Sequence, residues 1–379
     1  MSIIGIDYTA AYEQGAGIGR YVRELMRALA TADDHTPYRL FVAGATRAGL
    51  PPVPGPNFGW YPTRITPRWF ARLWYRLQLP IPVETFIGRV ALYHATDFTL
   101  PPTLPGTRTL LTVHDLSFVR APEATTPVLK AYLDAVVPRS VKRATHVLAD
   151  SQATKDDLVE LYGTAPGKVT VLLGGVNPEF VPVTDPDKRK AVRERYNIPE
   201  QPYIFSIGTV QPRKNYARLI AALAALGQDH SDAHLVIAGG RGWLEGPIYR
   251  AVEEHGLAER VHFVGFARDV DLPALYSEAV CLAYPSLYEG IGLPVLEAMA
   301  CGTPVVTSNL SSMPEIAGDA ALLIDPYDVE ALTNALRRLL ADEALRSELI
   351  TRGFKQAAYF TWGRAAQQLL NVYRRLLSP

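Results

Sequence analysis

Short apolar runs alternate with helix-length amphipathic segments along the whole chain, and the pattern runs its course twice. In the first half, runs that read as strands stand at "SIIGIDY", "RLFVAG", "ALYHAT", "TLLTVHD", "THVLADS" and "KVTVLL". Between them, "GRYVRELMRALA", "PRWFARLWYRLQ", "VLKAYLDAVVPRSVKRA" and "ATKDDLVELYG" have helical spacing, and Ser151 suits the N-cap of the last. A stretch rich in Gly, Pro and charge, "GGVNPEFVPVTDPDKRKAVRERYNIPEQPY", then interrupts the pattern, with room for one short helix. It restarts at "YIFSIG" and continues through "HLVIAGG", "VHFVGF", "VCLAYPS", "TPVVTSN" and "ALLIDP". Strands that are each followed by a helix pair in parallel, with helices on both faces of the sheet. Three closing helical segments find no further strand, and the last is expected to pack back on the first domain.

The chain's 379 residues fit two domains better than one. The expected division is 1–175, completed by a C-terminal helix at 361–379, then a linker at 176–200 and a second domain at 201–360. The fold class is α/β, two doubly wound sheets facing across a cleft. Ligands of such sheets bind beyond the carboxyl ends of the strands, so site residues are sought in the loops that follow strands.

With 38 basic and 38 acidic side chains there is no global field to draw in nucleic acid, and an anionic ligand must be held locally. After "YIFSIG" comes "TVQPRKN", where Arg213 and Lys214 precede a helix. Cations are poorly placed there for the helix but well placed for a phosphate. After "VCLAYPS" comes "SLYEGIGLPVLEAMACGTPVV". Gly290 and Gly292 let the backbone approach a ligand, Pro294 suits an early helical position, and the amides of Ile291 and Leu293 would face an anion. Glu289 and Glu297, eight positions apart, look out of place in a phosphate cradle. They make sense as two carboxylates flanking one bound molecule from different sides.

In "YEQGAGIGRY" the glycines, among them Gly17, open a helix, but their spacing and distance from the strand are wrong for a dinucleotide fingerprint. A glycine loop approaching a phosphate from the opposite domain fits better, and a merely permissive turn fits equally well. His114 follows a central strand and is a candidate for the site, and His94 is placed similarly. In "TPRWFARLWYRLQLP", Arg68, Arg72 and Arg76 alternate with Trp69, Phe70, Trp74 and Tyr75. Such a helix can lie on an anionic membrane surface. A surface helix with its aromatic face in the core explains it equally simply and is preferred. Cys281 and Cys301 form no metal or disulfide pattern and read as core fillers. The start of the chain has no basic leader, and no run of ~18 apolar residues occurs, which predicts a cytoplasmic, non-spanning protein.

Together these motifs resemble a retaining glycosyltransferase of the GT-B architecture, in the large family four of sugar-nucleotide-dependent enzymes. "EGIGLPVLEAMACGTPVV" is similar to the family's two-glutamate motif and "GTVQPRKN" to its phosphate-binding loop. "GIGRYVRELMRAL", "VHDLSFVRAPE", "VLADSQATKDDL", "HFVGFARDVDLPALY" and "MPEIAGDAALLIDPYD" follow in family order. Within the family the chain looks most like mannosyl- and rhamnosyltransferases of surface polysaccharide assembly. The resemblance implies that Glu289 contacts donor-sugar hydroxyls and Glu297 the ribose. Arg213 and Lys214 would neutralise the diphosphate with the amides of Ile291, Gly292 and Leu293, Gly17 would close on it from the first domain, and His114 would face the reacting sugar. Many members carry an arginine after the glycine of "SIG", where this chain has Thr209, so the cationic pair is Arg213 with Lys214. No metal or cofactor is implied. The implied partners are a nucleotide-sugar donor and a glycan or lipid-linked acceptor, the latter placing the enzyme on the inner face of the membrane. GDP-mannose is the preferred donor, ahead of dTDP-rhamnose and UDP-hexoses. A sugar-nucleotide epimerase, a phosphorylase, a nicotinamide oxidoreductase or a non-catalytic nucleotide-sugar sensor are the competing readings.

Overall fold

The structure, a computed structural model, describes residues 2–15 and 17–378, with Asp229 described by its backbone only. The chain forms two compact units. The first comprises Met1–Leu116, Ala131–Gly175 and Trp362–Pro379; the second comprises Ser117–Lys130 and Val176–Thr361.

The first unit is built on seven strands, β1 (Ile4–Asp7), β2 (Tyr38–Ala43), β3 (Phe58–Thr63), β4 (Leu92–Ala95), β5 (Arg108–Val113), β6 (His146–Ala149) and β7 (Val169–Val171). They pair in the order β3-β2-β1-β4-β5-β6-β7, all parallel. Burial on both faces explains the continuous apolar runs: Leu110, Leu111, Val147 and Leu148 are fully enclosed. The strand β3 has no counterpart among the expected ones. Its sequence, "FGWYPT", contains a glycine and a proline, which weaken the strand signal, and an edge position tolerates Pro62 because one side of the strand has no partner to bond. The helix Ile18–Ala32 buries Tyr21, Val22, Leu25, Met26 and Leu29 as one stripe. It packs against the terminal helix Trp362–Leu377, which buries Leu369, Leu370 and Tyr373 in this unit. Ser151 caps the helix Gln152–Tyr162, accepting a hydrogen bond from the amide of Thr154 at 3.2 Å.

The second unit has six strands, β8 (Tyr203–Ile207), β9 (His234–Ala238), β10 (Val261–Gly265), β11 (Cys281–Tyr284), β12 (Val305–Ser308) and β13 (Leu322–Ile324). Their order is β10-β9-β8-β11-β12-β13, again all parallel. Ile204, Leu235, Ile237, Ala283 and Val306 meet Leu219, Ile220, Leu223, Leu332 and Leu336 in its core. Cys281 belongs to that core and Cys301 is buried near the end of the helix Leu293–Ala300. The Gly- and Pro-rich stretch after β7 carries one helix, Pro186–Arg195, whose N-cap Asp185 accepts from the amides of Asp187 and Lys188. The helices Val329–Ala341 and Glu343–Tyr359 stay with this unit, so of the closing three only the last belongs to the first. Among the described residues no helix is long and apolar enough to cross a membrane.

Each sheet has one point where strand order reverses: between β1 and β4 in the first unit, and between β8 and β11 in the second. Loops that leave such a point diverge to opposite faces and open a crevice beyond the strand ends.

Candidate functional site

Both motif loops of the second unit leave its reversal point. Beyond β8 the chain makes a single 3-10 turn, Pro212–Lys214, and Asn215 takes left-handed backbone with φ 62°. The Asn215 side-chain Nδ2 donates to the carbonyls of Pro285 and Pro326 at 3.0 and 2.7 Å. The amide of Leu287 donates to the Arg213 carbonyl at 2.9 Å. These bonds tie the β8 loop to the β11 loop and fix where two side chains emerge.

Those side chains converge on one carboxylate. Arg213 lies 2.7 Å from one oxygen of Glu289, and Lys214 lies 2.6 Å from the other. Lys214 also donates to the Tyr284 hydroxyl at 2.5 Å, with its ammonium 4.6 Å from that ring's centroid. Arg213 donates to the carbonyl of Tyr288 at 2.7 Å. The backbone of Glu289 is held as well: its amide donates to the Ser311 hydroxyl at 3.0 Å, and its carbonyl accepts from the Ser312 hydroxyl at 2.9 Å. Burial alone would raise the Glu289 carboxyl, but Arg213 and Lys214 outweigh it and bring the group down to about 2. Two cations thus share one carboxylate in a mostly buried setting.

Gly292 caps the helix Leu293–Ala300 in left-handed backbone, φ 76° and ψ 47°, with Pro294 in the first turn. The first amides of a helix have no intrahelical acceptor and face outward from its end. A side chain at Gly292 would strike the methyl of Met313. Gly292→Ala therefore combines a strained φ with a clash and is expected to destabilise the second unit by about 2 kcal/mol or more. Urea unfolding checks this, and a wild-type midpoint would remove the constraint.

Glu297 sits inside that helix, buried, and accepts from the Tyr276 hydroxyl at 2.9 Å. Its place inside the helix sets it apart in the chain from Glu289, which precedes that helix.

The remaining candidates belong to the first unit. Gly17, with φ 58° and ψ −124°, caps the helix Ile18–Ala32, and a side chain there would meet open space. Arg23 steadies the loop before it by donating to the carbonyls of Ala11, Gln14 and Gly15 at 2.7, 2.6 and 2.6 Å. His114 lies just past β5, buried, with Nδ1 2.7 Å from the Asp150 carboxylate and Nε2 2.8 Å from the Thr96 carbonyl. Both partners are acceptors, so both ring nitrogens carry protons and the ring is a cation. Burial works against that charge, yet Asp150 outweighs it and raises the group to about 9. His94 is the opposite case. Its nitrogens meet Tyr373 and Thr112 hydroxyls at 2.7 and 2.9 Å, and burial pushes it down to about 3, which makes it a neutral strut between β4 and the terminal helix.

The structure thus gathers Arg213, Lys214, Glu289 and the segment Gly290–Leu293 at one reversal point, with Glu297 on the helix behind. Sequence reasoning missed Tyr284, although a tyrosine ending the strand before the glutamate loop was a visible signal. It also missed Ser311 and Ser312, more than 20 residues downstream, and the Asp150 and Thr96 partners of His114; none of these had a local signal.

Comparison with known proteins follows the same division. A family model described as glycosyl transferases group 1 matches residues 188–356, and one described as glycosyltransferase family 4 matches residues 15–180. O-antigen chain mannosyltransferase B of Escherichia coli is 31% identical over 369 residues, covering 95% of this chain and 96% of that protein. Other known relatives are longer, and the chain spans 28–57% of their length. Sucrose-phosphate synthase from Thermosynechococcus elongatus has the same fold, with a TM-score of 0.76 at 24% identity over 99% of both chains. So does Anabaena Alr3699/HepE, solved with UDP and glucose, with a TM-score of 0.76 at 17% identity over 99% of this chain and 100% of that one.

Proposed function

The chain belongs to the glycosyltransferases, group 1 and family 4, with the two-domain GT-B fold, and from that membership we propose a retaining, metal-independent transfer of mannose from GDP-mannose to a glycan or lipid-linked acceptor of a surface polysaccharide. The observation that carries the reading is the Arg213–Glu289–Lys214 cluster at the reversal point of the second unit. The mannosyl donor and polysaccharide acceptor are supported by the E. coli mannosyltransferase that matches along the whole chain.

In this reading the second unit holds the donor. Arg213 and Lys214 take the diphosphate together with the amides of Gly290, Ile291, Gly292 and Leu293. Glu289 accepts hydrogen bonds from sugar hydroxyls, and Glu297 from the ribose. As the bond from the anomeric carbon to the diphosphate breaks, negative charge grows on the departing oxygen, and cations already fixed around it stabilise that charge more than the ground state. The acceptor oxygen attacks the anomeric carbon from the leaving-group face and passes its proton to a phosphate oxygen. Configuration is then retained. The first unit serves the acceptor. Gly17 leaves its loop open, while His114, with both nitrogens committed, acts as a positioning residue that ties Thr96 beyond β4 to Asp150 beyond β6. Exposed Trp69, Leu77, Leu79 and Ile81, with Arg68, Arg72 and Arg76 in the same segment, suit peripheral contact with an anionic membrane surface on the cytoplasmic side.

A thermal-shift screen of GDP-mannose, dTDP-rhamnose and UDP-glucose tests the donor. A raised Tm with GDP-mannose alone is expected, by mass action, and a selective response to either of the others would replace it. Turnover is expected to persist in excess EDTA. Loss that magnesium restores would overturn metal independence, and an inverted anomeric signal in the product's NMR spectrum would overturn retention.

A further inference from the structure

The edge of the second sheet carries a pair of histidines that lie outside the motif loops. His234 opens β9, and His262 sits inside β10, which pairs with β9 alone. Leu235, Ile237 and Val261 point into the core of the unit. Alternation along the strands therefore turns both rings to the other face, where each is half-buried. There His234 Nδ1 lies 2.8 Å from His262 Nε2. The rings are within 2° of coplanar with centroids 5.1 Å apart, as two imidazoles are when a nitrogen of one points straight at a nitrogen of the other.

That is the geometry of a shared proton. A zinc ion bonded to each nitrogen at about 2.0–2.1 Å in a tetrahedral site would hold them roughly 3.3 Å apart. No third ligand is at hand either, since among the described residues no group of three His, Cys, Asp or Glu side chains could hold a metal. With both rings neutral, one N–H donates to the bare nitrogen that faces it. One added proton leaves this bond in place, because a cationic ring can still donate to a neutral one. A second leaves two N–H groups face to face, with like charges behind them and no acceptor between.

The surroundings set where this happens. Burial disfavours the charged form of both rings; at His234 the cations Arg260 and Arg193 add to it against Asp232, and at His262 Glu259 opposes it. Both arginines are fixed in place, Arg260 by the carbonyls of His230 and Ala233 and Arg193 by Glu278. Each histidine is thus held below its ordinary 6.5 while β10 is docked. The undocked form then binds more protons, so the pair's contribution is complete above pH 6.5 and is lost as the pH falls below it. The strand is open to such a loss: its ladder with β9 slips between Phe263 and Gly265, and beyond it Phe266 and Val270 are exposed. The Gly239 amide donates to the Gly265 carbonyl at 2.7 Å, which joins the loops after β9 and β10 at their root.

We propose that His234 and His262 form a proton-operated latch, which closes β10 onto β9 while the rings share a proton and releases the edge strand, with the loops rooted there, when both rings are charged. The latch does not rest on the transferase reading.

Hydrogen exchange followed by mass spectrometry on the full chain, from pH 7.5 to pH 5 and corrected for the intrinsic pH dependence of exchange, tests it. The amides of β11 serve as the internal reference. An opening that takes up one proton becomes about tenfold more favourable per pH unit below the ordinary histidine value. Protection of Val261–Gly265 is therefore expected to fall about tenfold or more over this range relative to Cys281–Tyr284. In the double variant His234→Asn, His262→Gln the amide groups stand near where Nδ1 and Nε2 stood and cannot charge, so the difference should vanish. If the double variant lowers the Tm, His262→Gln alone is read in its place. Its side chain can donate to a neutral His234 and accept from a charged one, so most of the difference should still disappear. Protection of β10 that follows β11 at every pH, or a variant as acid-sensitive as the wild type, would overturn the proposal.

Discussion

Glu289→Gln should lower turnover by roughly 10²–10³ while leaving the affinity for free GDP undiminished or increased. Glu289 is the carboxylate that neutralises Arg213 and Lys214 in the absence of donor. Its replacement by an amide removes an internal competitor of the diphosphate at both cations. The sugar fares worse. A carboxylate accepts hydrogen bonds from hydroxyls about twice as strongly as an amide does, and a sugar displaced by ~1 Å loses much of its reactivity. Calorimetry with GDP and initial rates with GDP-mannose separate the two effects. Wild-type turnover, or weaker GDP binding, would remove Glu289 from its assigned place. The same variant should change acid stability. The folded-state carboxyl lies at about 2 against 4.5 for the free group, so its contribution, on the order of 3 kcal/mol, is present above pH 4.5 and lost as pH falls toward 2. In Glu289→Gln that acid limb should flatten.

Lys214→Met carries the second large effect, an expected loss of roughly 10²–10³ in kcat/KM. Both cations touch Glu289, but their settings differ: the Lys214 side chain is 9% exposed and that of Arg213 17%. Lys214 is further confined by the Tyr284 hydroxyl and ring, so its charge acts through less water and is worth more to the departing phosphate. Arg213→Met should cost about a tenth as much. Side-by-side kinetics decide the order, and an Arg213 variant impaired more than its Lys214 counterpart would reverse the assignment of the principal cation.

Most of the architecture was legible because a strand buried on both faces writes itself as an uninterrupted apolar run. The four inner strands of the second unit, β8, β9, β11 and β12, announced themselves in this way, while the half-buried edge strands β10 and β13 did so by short apolar runs alone. The strand β3 did not, since an edge position permits Gly59 and Pro62, the residues that mark a non-strand elsewhere. The candidate site was legible as chemistry but not as contact. Two cations before a helix pointed to an anionic ligand and two glutamates around a glycine loop to carboxylates on either side of it, while the sugar and ribose hydroxyls came only with the family resemblance. That Glu289 already pairs with both cations depends on loops from neighbouring strands being tied together by Asn215, and a bond between residues 70 positions apart has no local trace. His114 shows the same limit: its charge is held by Asp150, just beyond the next strand over, and nothing beside His114 in the chain foretells it.

The helix Trp362–Leu377 has a consequence for how the protein is made. The first unit leans on it through Tyr373, whose hydroxyl meets His94, and through the face packed on Ile18–Ala32. During synthesis, the segment that begins folding first must wait for residues nearly 200 positions beyond β7, while the second unit has all its strands once β13 has emerged. The order of completion on the ribosome is therefore the reverse of the order of translation.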